Sequence, residues 1–234
     1  MIERRTLSSL GYANHGWLEA RHHFSFASYA DPDRDNWGAL RVWNDDTIQP
    51  GTGFPPHPHA NMEIITYVRE GAITHQDNLG NKGKTIAGDV QVMSAGTGIG
   101  HAEFNLEPGI TRIFQIWIVP DQRGGQPSWG SKPFPKDDRS GRFIALASGL
   151  VDDTEALPIR ANARVAGATL NPGETVEYRF ADASRLGYLV AARGRVTVNG
   201  IALDAQDGAA ISGEQSITVT AEEAAELVLV DVAG

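Results

Sequence analysis

The chain has 234 residues, no cysteine and a formal charge of −9 at pH 7, a length that permits one large domain or two small ones at roughly 100–200 residues per domain. Without thiols, disulfides, iron–sulfur clusters, thiolate zinc sites and cysteine nucleophiles are excluded, so any metal must sit on imidazole and oxygen. The basic residues are scattered, which disfavours direct nucleic-acid binding, because a phosphate-tracking surface needs a concentrated positive field.

Met1 to Ser9 lack the long apolar core of a signal peptide, and no later apolar run approaches the roughly 18 residues of a membrane span. A cytoplasmic protein without membrane association is expected. The 26 glycines and 12 prolines recur between short apolar stretches, the pattern of many strands joined by tight turns, so the expected fold is all-β. Met62–Val68, Asp89–Met93 and Arg112–Val119 are rich in β-branched and aromatic residues and read as strands. From Pro120 to about Gly141 the apolar pattern stops, and this segment is the linker candidate. Strand-like runs return at Phe143–Leu146, Thr175–Phe180, Val196–Gly200 and Leu227–Val232, where Asn199-Gly200 signals a hairpin turn.

Three short matches share a similar offset: Ile48–Gly51 with Leu170–Gly173, Glu70–Thr74 with Arg193–Thr197, and Gly88–Val90 with Asp207–Ala209. They suggest a duplicated β-barrel. The expected division is a metal-binding barrel over 1–120, a linker over 121–141 and a second barrel over 142–234.

All seven histidines lie at or before His101, so the chemistry is expected in the first half. His57 and His59 are two residues apart and point to one face of an extended strand. His101 and Glu103 have the same spacing. Brought together inside a barrel, the two pairs place three nitrogens and one oxygen around a point, and a bound cation removes the cost of burying them unpaired. Such a donor set suits Fe(II), Mn, Ni, Co, Cu or Zn, and a six-coordinate ion would keep two positions open.

At these residues the chain resembles the cupin superfamily. Gly51, His57, His59, Glu63 and Gly71 fit its first motif, with the last gap one residue longer than usual. Gly88, Gly96, His101 and Asn105 fit its second, with Ser94 where proline is commoner and two extra residues before the histidine. Within cupins it resembles the pirin-like proteins, specifically the bacterial pirin-like quercetin 2,3-dioxygenases. His22–Phe26, Leu40–Asp46, Phe54–His59, Met62–Tyr67, His75–Asp77, Met93–Gly98 and His101–Glu103 carry that likeness over nearly all of residues 1–120. The resemblance implies a bicupin of two jelly-roll barrels, the second vestigial. It also implies one divalent metal, Fe(II) as first expectation, held by His57, His59, His101 and Glu103.

Glu63 is the ligand in many cupins, but it must cross an Ala-Asn-Met bend from His59, so it is expected to play a supporting or structural part. The repeat offset sets Arg179 and Ala181 against His57 and His59, and no histidine lies near 221–225, so the second barrel cannot repeat the site. His75 is expected to be structural or to orient a ligand. His22 and His23 face opposite ways, with one of them near the barrel mouth. Trp43, Phe54, Met93, Phe104, Phe114 and Trp117 are candidates either for lining a pocket for a flat molecule or for plain core.

The function implied by the resemblance is oxygenolysis of a flavonol with release of carbon monoxide, with Glu103 as candidate base for the 3-hydroxyl proton. The expected partners are a small aromatic, flavonol-like substrate and O₂. The alternatives are a metal-dependent regulator that binds a protein partner without turnover, and a cupin enzyme acting on another small substrate.

Overall fold

The computed structural model describes residues 1–234, and almost every regular element in it is a strand. In chain order the first half contains β1 (Ile2–Arg5), β2 (Gly11–Asn14), β3 (Leu18–His22), β4 (Leu40–Ile48), β5 (Gly53–His59) and β6 (Glu63–Glu70). It continues with β7 (Ala72–Asp77), β8 (Lys82–Ile86), β9 (Val90–Ser94), β10 (Ile99–Phe104), β11 (Thr111–Ile118) and β12 (Ser128–Lys132). The second half contains β13 (Ile144–Ser148), β14 (Leu157–Pro158), β15 (Ala163–Leu170), β16 (Thr175–Arg179) and β17 (Leu186–Arg193). It ends with β18 (Val196–Val198), β19 (Ile201–Leu203), β20 (Gly208–Ser212), β21 (Ser216–Ala221) and β22 (Ala225–Val232).

The first barrel pairs a seven-stranded sheet, β12-β9-β6-β11-β4-β3-β2, with a four-stranded sheet, β5-β10-β7-β8. The second repeats this plan as β1-β20-β17-β22-β15-β13-β14 and β16-β21-β18-β19. The expected duplication is therefore present in the strand order, except that the outermost β14 runs parallel to β13 where β2 is antiparallel to β3. Each large sheet takes its outer strand from elsewhere in the chain: β1 pairs with β20, and β12, inside the expected linker, pairs with β9. The exchange covers an edge of each sheet that would otherwise offer unpaired backbone groups.

The two large sheets pack face to face, and their central strands are buried on both sides. β6, β9 and β22 are thus buried almost end to end rather than on alternate residues. Ile65, Tyr67, Val92 and Phe114 meet Tyr188, Val190, Val228 and Val230 in one core cluster. The neighbours Ile64, Thr66 and Val68 point the other way, into the first barrel. Polar contacts also cross this seam. Arg69 pairs with Asp45, which accepts from Gln206 Nε2 at 2.6 Å. Arg139, fully buried in the 121–141 segment, donates to Tyr67 Oη at 2.7 Å.

Two turns follow from their sequences. Asn199 and Gly200 both have positive φ, 47° and 84°, and close the β18–β19 hairpin as expected of Asn-Gly. Pro50-Gly51, with φ of 71° at the glycine and Thr52 N–H donating to Gln49 O, turns the chain from β4 into β5. No helix is long and apolar enough to cross a membrane.

Candidate metal centre

β5 is an edge strand, which is why it tolerates Pro55, Pro56 and Pro58: a proline has no N–H to give to a ladder. It pairs with β10 so that His57 stands opposite His101 and His59 opposite Ile99. Between His101 and Glu103 the register shifts, because β5 spends one extra residue there before Phe54 meets Glu103. This bulge re-aims the strand around its prolines. Gly53 lets β5 close over β10, since a Cβ there would collide with the backbone carbonyl of Glu103.

The three imidazoles converge. Ring centroids are 4.8 Å apart for His57–His59, 4.5 Å for His57–His101 and 5.0 Å for His59–His101. His57 Nε2 and His101 Nε2 are 3.1 Å apart. Two nitrogens bound cis to one ion at about 2.1 Å would be about 3.0 Å apart, so the spacing fits a shared cation. The tautomers fit as well. His57 Nδ1–H donates to Pro55 O at 2.7 Å, which leaves Nε2 with its lone pair.

A chain of contacts sets His101. His75 Nε2–H donates to Asp77 Oδ2 at 3.0 Å, and His75 Nδ1 lies 3.4 Å from His101 Nδ1. Asp77 is itself fixed by the Leu79 and Asn81 amides, both at 3.0 Å. Trp129, on β12, stacks on the His75 ring at 4.7 Å and 7°. His75 thus both orients a site residue and sits as a satisfied buried histidine. Burial, and then the neighbouring imidazoles, lower His101 to about 3 and His59 to about 4. Both rings are neutral at pH 7, the form that binds a metal.

Glu103 is held differently. It is 1% exposed, and its carboxylate accepts from Gln91 Nε2, from Thr66 Oγ1 at 3.4 Å and from Gln115 Nε2 at 2.5 Å. Burial pushes its pKa up to about 7 against those hydrogen bonds. The nitrogens of His57, His59 and His101 all lie within 4.8 Å of one another, whereas Glu103 falls within that distance of His75 and His101 in a separate group. Three of the four expected ligands therefore form one cluster, with the fourth beside it in a cradle of amides. Glu63 faces away from the barrel interior, accepting from Ser94 Oγ at 2.5 Å.

The cluster opens into a cavity of about 350 Å³ whose wall includes Phe26, Phe54, Trp117, His22, Asn44 and Asp46. Trp117 meets His59 edge-on at 5.0 Å, and Phe26 meets Trp117 edge-on at 5.5 Å. Of the six residues expected to line a pocket or fill core, Phe54 and Trp117 line the cavity. Trp43 and Phe114 fill the core between the sheets, Met93 belongs to a small cluster at one end of the barrel, and Phe104 faces an outer groove. His22 lines the cavity, while His23 turns to Tyr188 Oη at 2.9 Å. Sequence reasoning missed Gln91, Gln115, Thr66 and Asp46. For Asp46 a signal existed: it follows Asn44 by two residues, so both share the inner face of β4.

A doubled jelly-roll barrel carrying a histidine cluster in one half defines a bicupin with a single metal-type site. The Pirin family model matches residues 3–118, and the model described as quercetinase C-terminal cupin domain matches residues 146–232. The chain is 70% identical over 233 residues to a pirin-like protein of Caulobacter vibrioides, covering 100% of each. It is 40% identical over 235 residues to quercetin 2,3-dioxygenase of Escherichia coli, covering 99% of each. The crystal structure of the bacterial pirin YhhW from Escherichia coli in complex with nickel(II) superposes with a TM-score of 0.91 at 38% identity, covering 100% of this chain and 99% of that one. The chain belongs to the pirin family.

Proposed function

We propose that this protein is a metal-dependent dioxygenase that opens flavonols such as quercetin with O₂ and releases carbon monoxide, its metal held by His57, His59, His101 and Glu103. The observation that carries the reading is the convergence of three imidazoles, with the Nε2 atoms of His57 and His101 3.1 Å apart and with His57 and His59 lining an aromatic-walled cavity. Fe(II) is the first candidate, and nickel(II), present in the YhhW structure, belongs in the same test. A divalent ion there would supply Lewis acidity toward the 3-hydroxy-4-keto edge of the substrate.

The protein's own groups do the rest. Phe54 and Trp117 bound a slot that suits a planar ring system. Glu103, buried beside the imidazoles, is the group placed to take the 3-hydroxyl proton. Gln91, Gln115 and Thr66 hold its carboxylate while it does so.

The test is turnover per bound metal, followed by CO detection and by loss of flavonol absorbance. Protein loaded in turn with each divalent metal should release CO well above free metal with at least one of them. His59→Ala should lose metal and activity in parallel. Glu103→Gln should keep some metal and lose activity by on the order of 10²- to 10⁴-fold, the usual cost of removing a general base. No CO above free metal with any ion overturns the dioxygenase reading in favour of a regulator. Unchanged turnover per metal in Glu103→Gln moves the base elsewhere.

A further inference from the structure

Asp46 is 2% exposed, and no hydrogen bond reaches its carboxyl; Oδ1 is buried without any partner. Its ladder neighbours across β4 are Ala20 and Ile113, whose side chains cannot donate. The nearest strong cation, Arg69, is engaged with Asp45, the next residue along and hence on the opposite face of the strand. A buried acceptor left unpaired costs on the order of 1–3 kcal/mol, more when charged, and such groups are rare in folded proteins. Asp46 also lines the cavity that His57, His59 and Glu103 reach from the facing sheet. Beside it, His22 Nδ1–H donates to Asn44 Oδ1 at 2.8 Å, which leaves His22 Nε2 as a second acceptor on this wall. The cavity therefore has polar groups on facing sheets with Phe26, Phe54 and Trp117 among its apolar lining, and on the Asp46 side the carboxyl itself has no partner.

We propose that Asp46 binds a second hydroxyl of the substrate, distinct from the group presented to the imidazoles, and so selects polyhydroxylated aromatic ligands over singly hydroxylated ones. The selection rests on the flavonol reading above. A ligand hydroxyl pairs with the Asp46 carboxyl, while a ligand lacking it leaves the carboxyl buried and unpaired, which is how a polar pocket rejects an analogue.

The experiment is anaerobic calorimetric titration of the metal-loaded full chain with 3-hydroxyflavone, 3,5,7-trihydroxyflavone, quercetin and a methoxy analogue of quercetin. Wild type should bind a polyhydroxylated flavonol at least about tenfold tighter than 3-hydroxyflavone. Asp46→Ala should shrink that ratio to below about threefold at unchanged metal content. Asp46→Asn keeps an acceptor oxygen and adds an N–H donor, so it should retain part of the ratio and gain affinity for the methoxy analogue relative to wild type. If Asp46→Ala keeps the wild-type ratio, the proposal falls while the flavonol reading stands. If Asp46→Ala does not fold, Asp46→Asn decides, and no gain for the methoxy analogue overturns the proposal. Wild type binding all four ligands equally overturns this proposal alone; wild type binding none overturns the flavonol reading with it.

Discussion

The two barrels share one strand plan and differ in what fills them. Ladder register gives the correspondence. Phe104 pairs with Thr74 as Thr220 pairs with Thr197, and His101 pairs with His57 as Ile217 pairs with Tyr178. Val219 therefore stands where Glu103 does, Ile217 where His101 does, and Tyr178 where His57 does. The run Gln115, Thr66, Gln91 across the first large sheet becomes Leu229, Leu189, Ala209 across the second. Asn44 and Asp46 become Ala166 and Ala168. All of these second-barrel residues belong to one 19-residue apolar cluster, whereas the first barrel's interior is broken into clusters of 6 and 4 residues around its polar centre. A fold that packs well when filled thus tolerates a polar cavity in one copy, where amides cradle the buried carboxylate, while the filled copy's large sheet covers the other's outer face.

Putting a carboxylate into the filled barrel is the harshest way to break this contrast. Val219→Glu recreates the Glu103 position without its cradle, and an uncompensated buried charge should destabilise the protein by roughly 3–5 kcal/mol. Denaturant unfolding measures it. A loss under about 1 kcal/mol would mean that the second barrel's interior is not the closed apolar core described here.

The reverse substitution takes a buried carboxylate out of the first barrel, in metal-free protein. The folded Glu103 keeps its proton until about pH 7, against 4.5 for the ordinary group. Between those values the native state binds more protons than the unfolded one, so stability falls as pH rises through that window. Glu103→Gln removes this loss. It should be more stable than wild type by on the order of 3 kcal/mol at pH 8, with the difference vanishing below about pH 4.5. Equal pH dependence in both proteins would show that the cradle already offsets the burial.

The smallest effect expected lies one shell out from the cluster. His75→Ala cuts the link from Asp77 to His101 that favours the ring form with Nε2 free. It should weaken metal binding by about 10- to 100-fold without abolishing it, as measured by chelator competition. In the second barrel the equivalent position is Val198, and Val198→Ala should leave metal affinity unchanged.

The strand-rich fold and the Asn-Gly hairpin were legible in the sequence because they follow from local alternation and turn chemistry, and the duplication because short matches recur at one offset. The shared face within His57/His59 and within His101/Glu103 is local too, whereas the meeting of His101 with His57 needs β5 beside β10. The sequence also carried the reading of a second barrel without histidine ligands, since no histidine follows His101. Tertiary structure decided what depends on which strands become neighbours. The repeat offset sets Arg179 against His57, but the ladder sets Tyr178 there, a one-residue slip that moves a side chain from solvent to core. β1 and β12 cap each other's parent sheets through long-range pairing, which no local pattern encodes. Gln91, Gln115 and Thr66 look like ordinary strand polars until three strands bring them around Glu103. The unpaired state of Asp46 likewise depends on Ala20 and Ile113 flanking it, and on Arg69 lying on the other face. Periodicity fixes which way a side chain points; only the assembled sheets fix what it meets there.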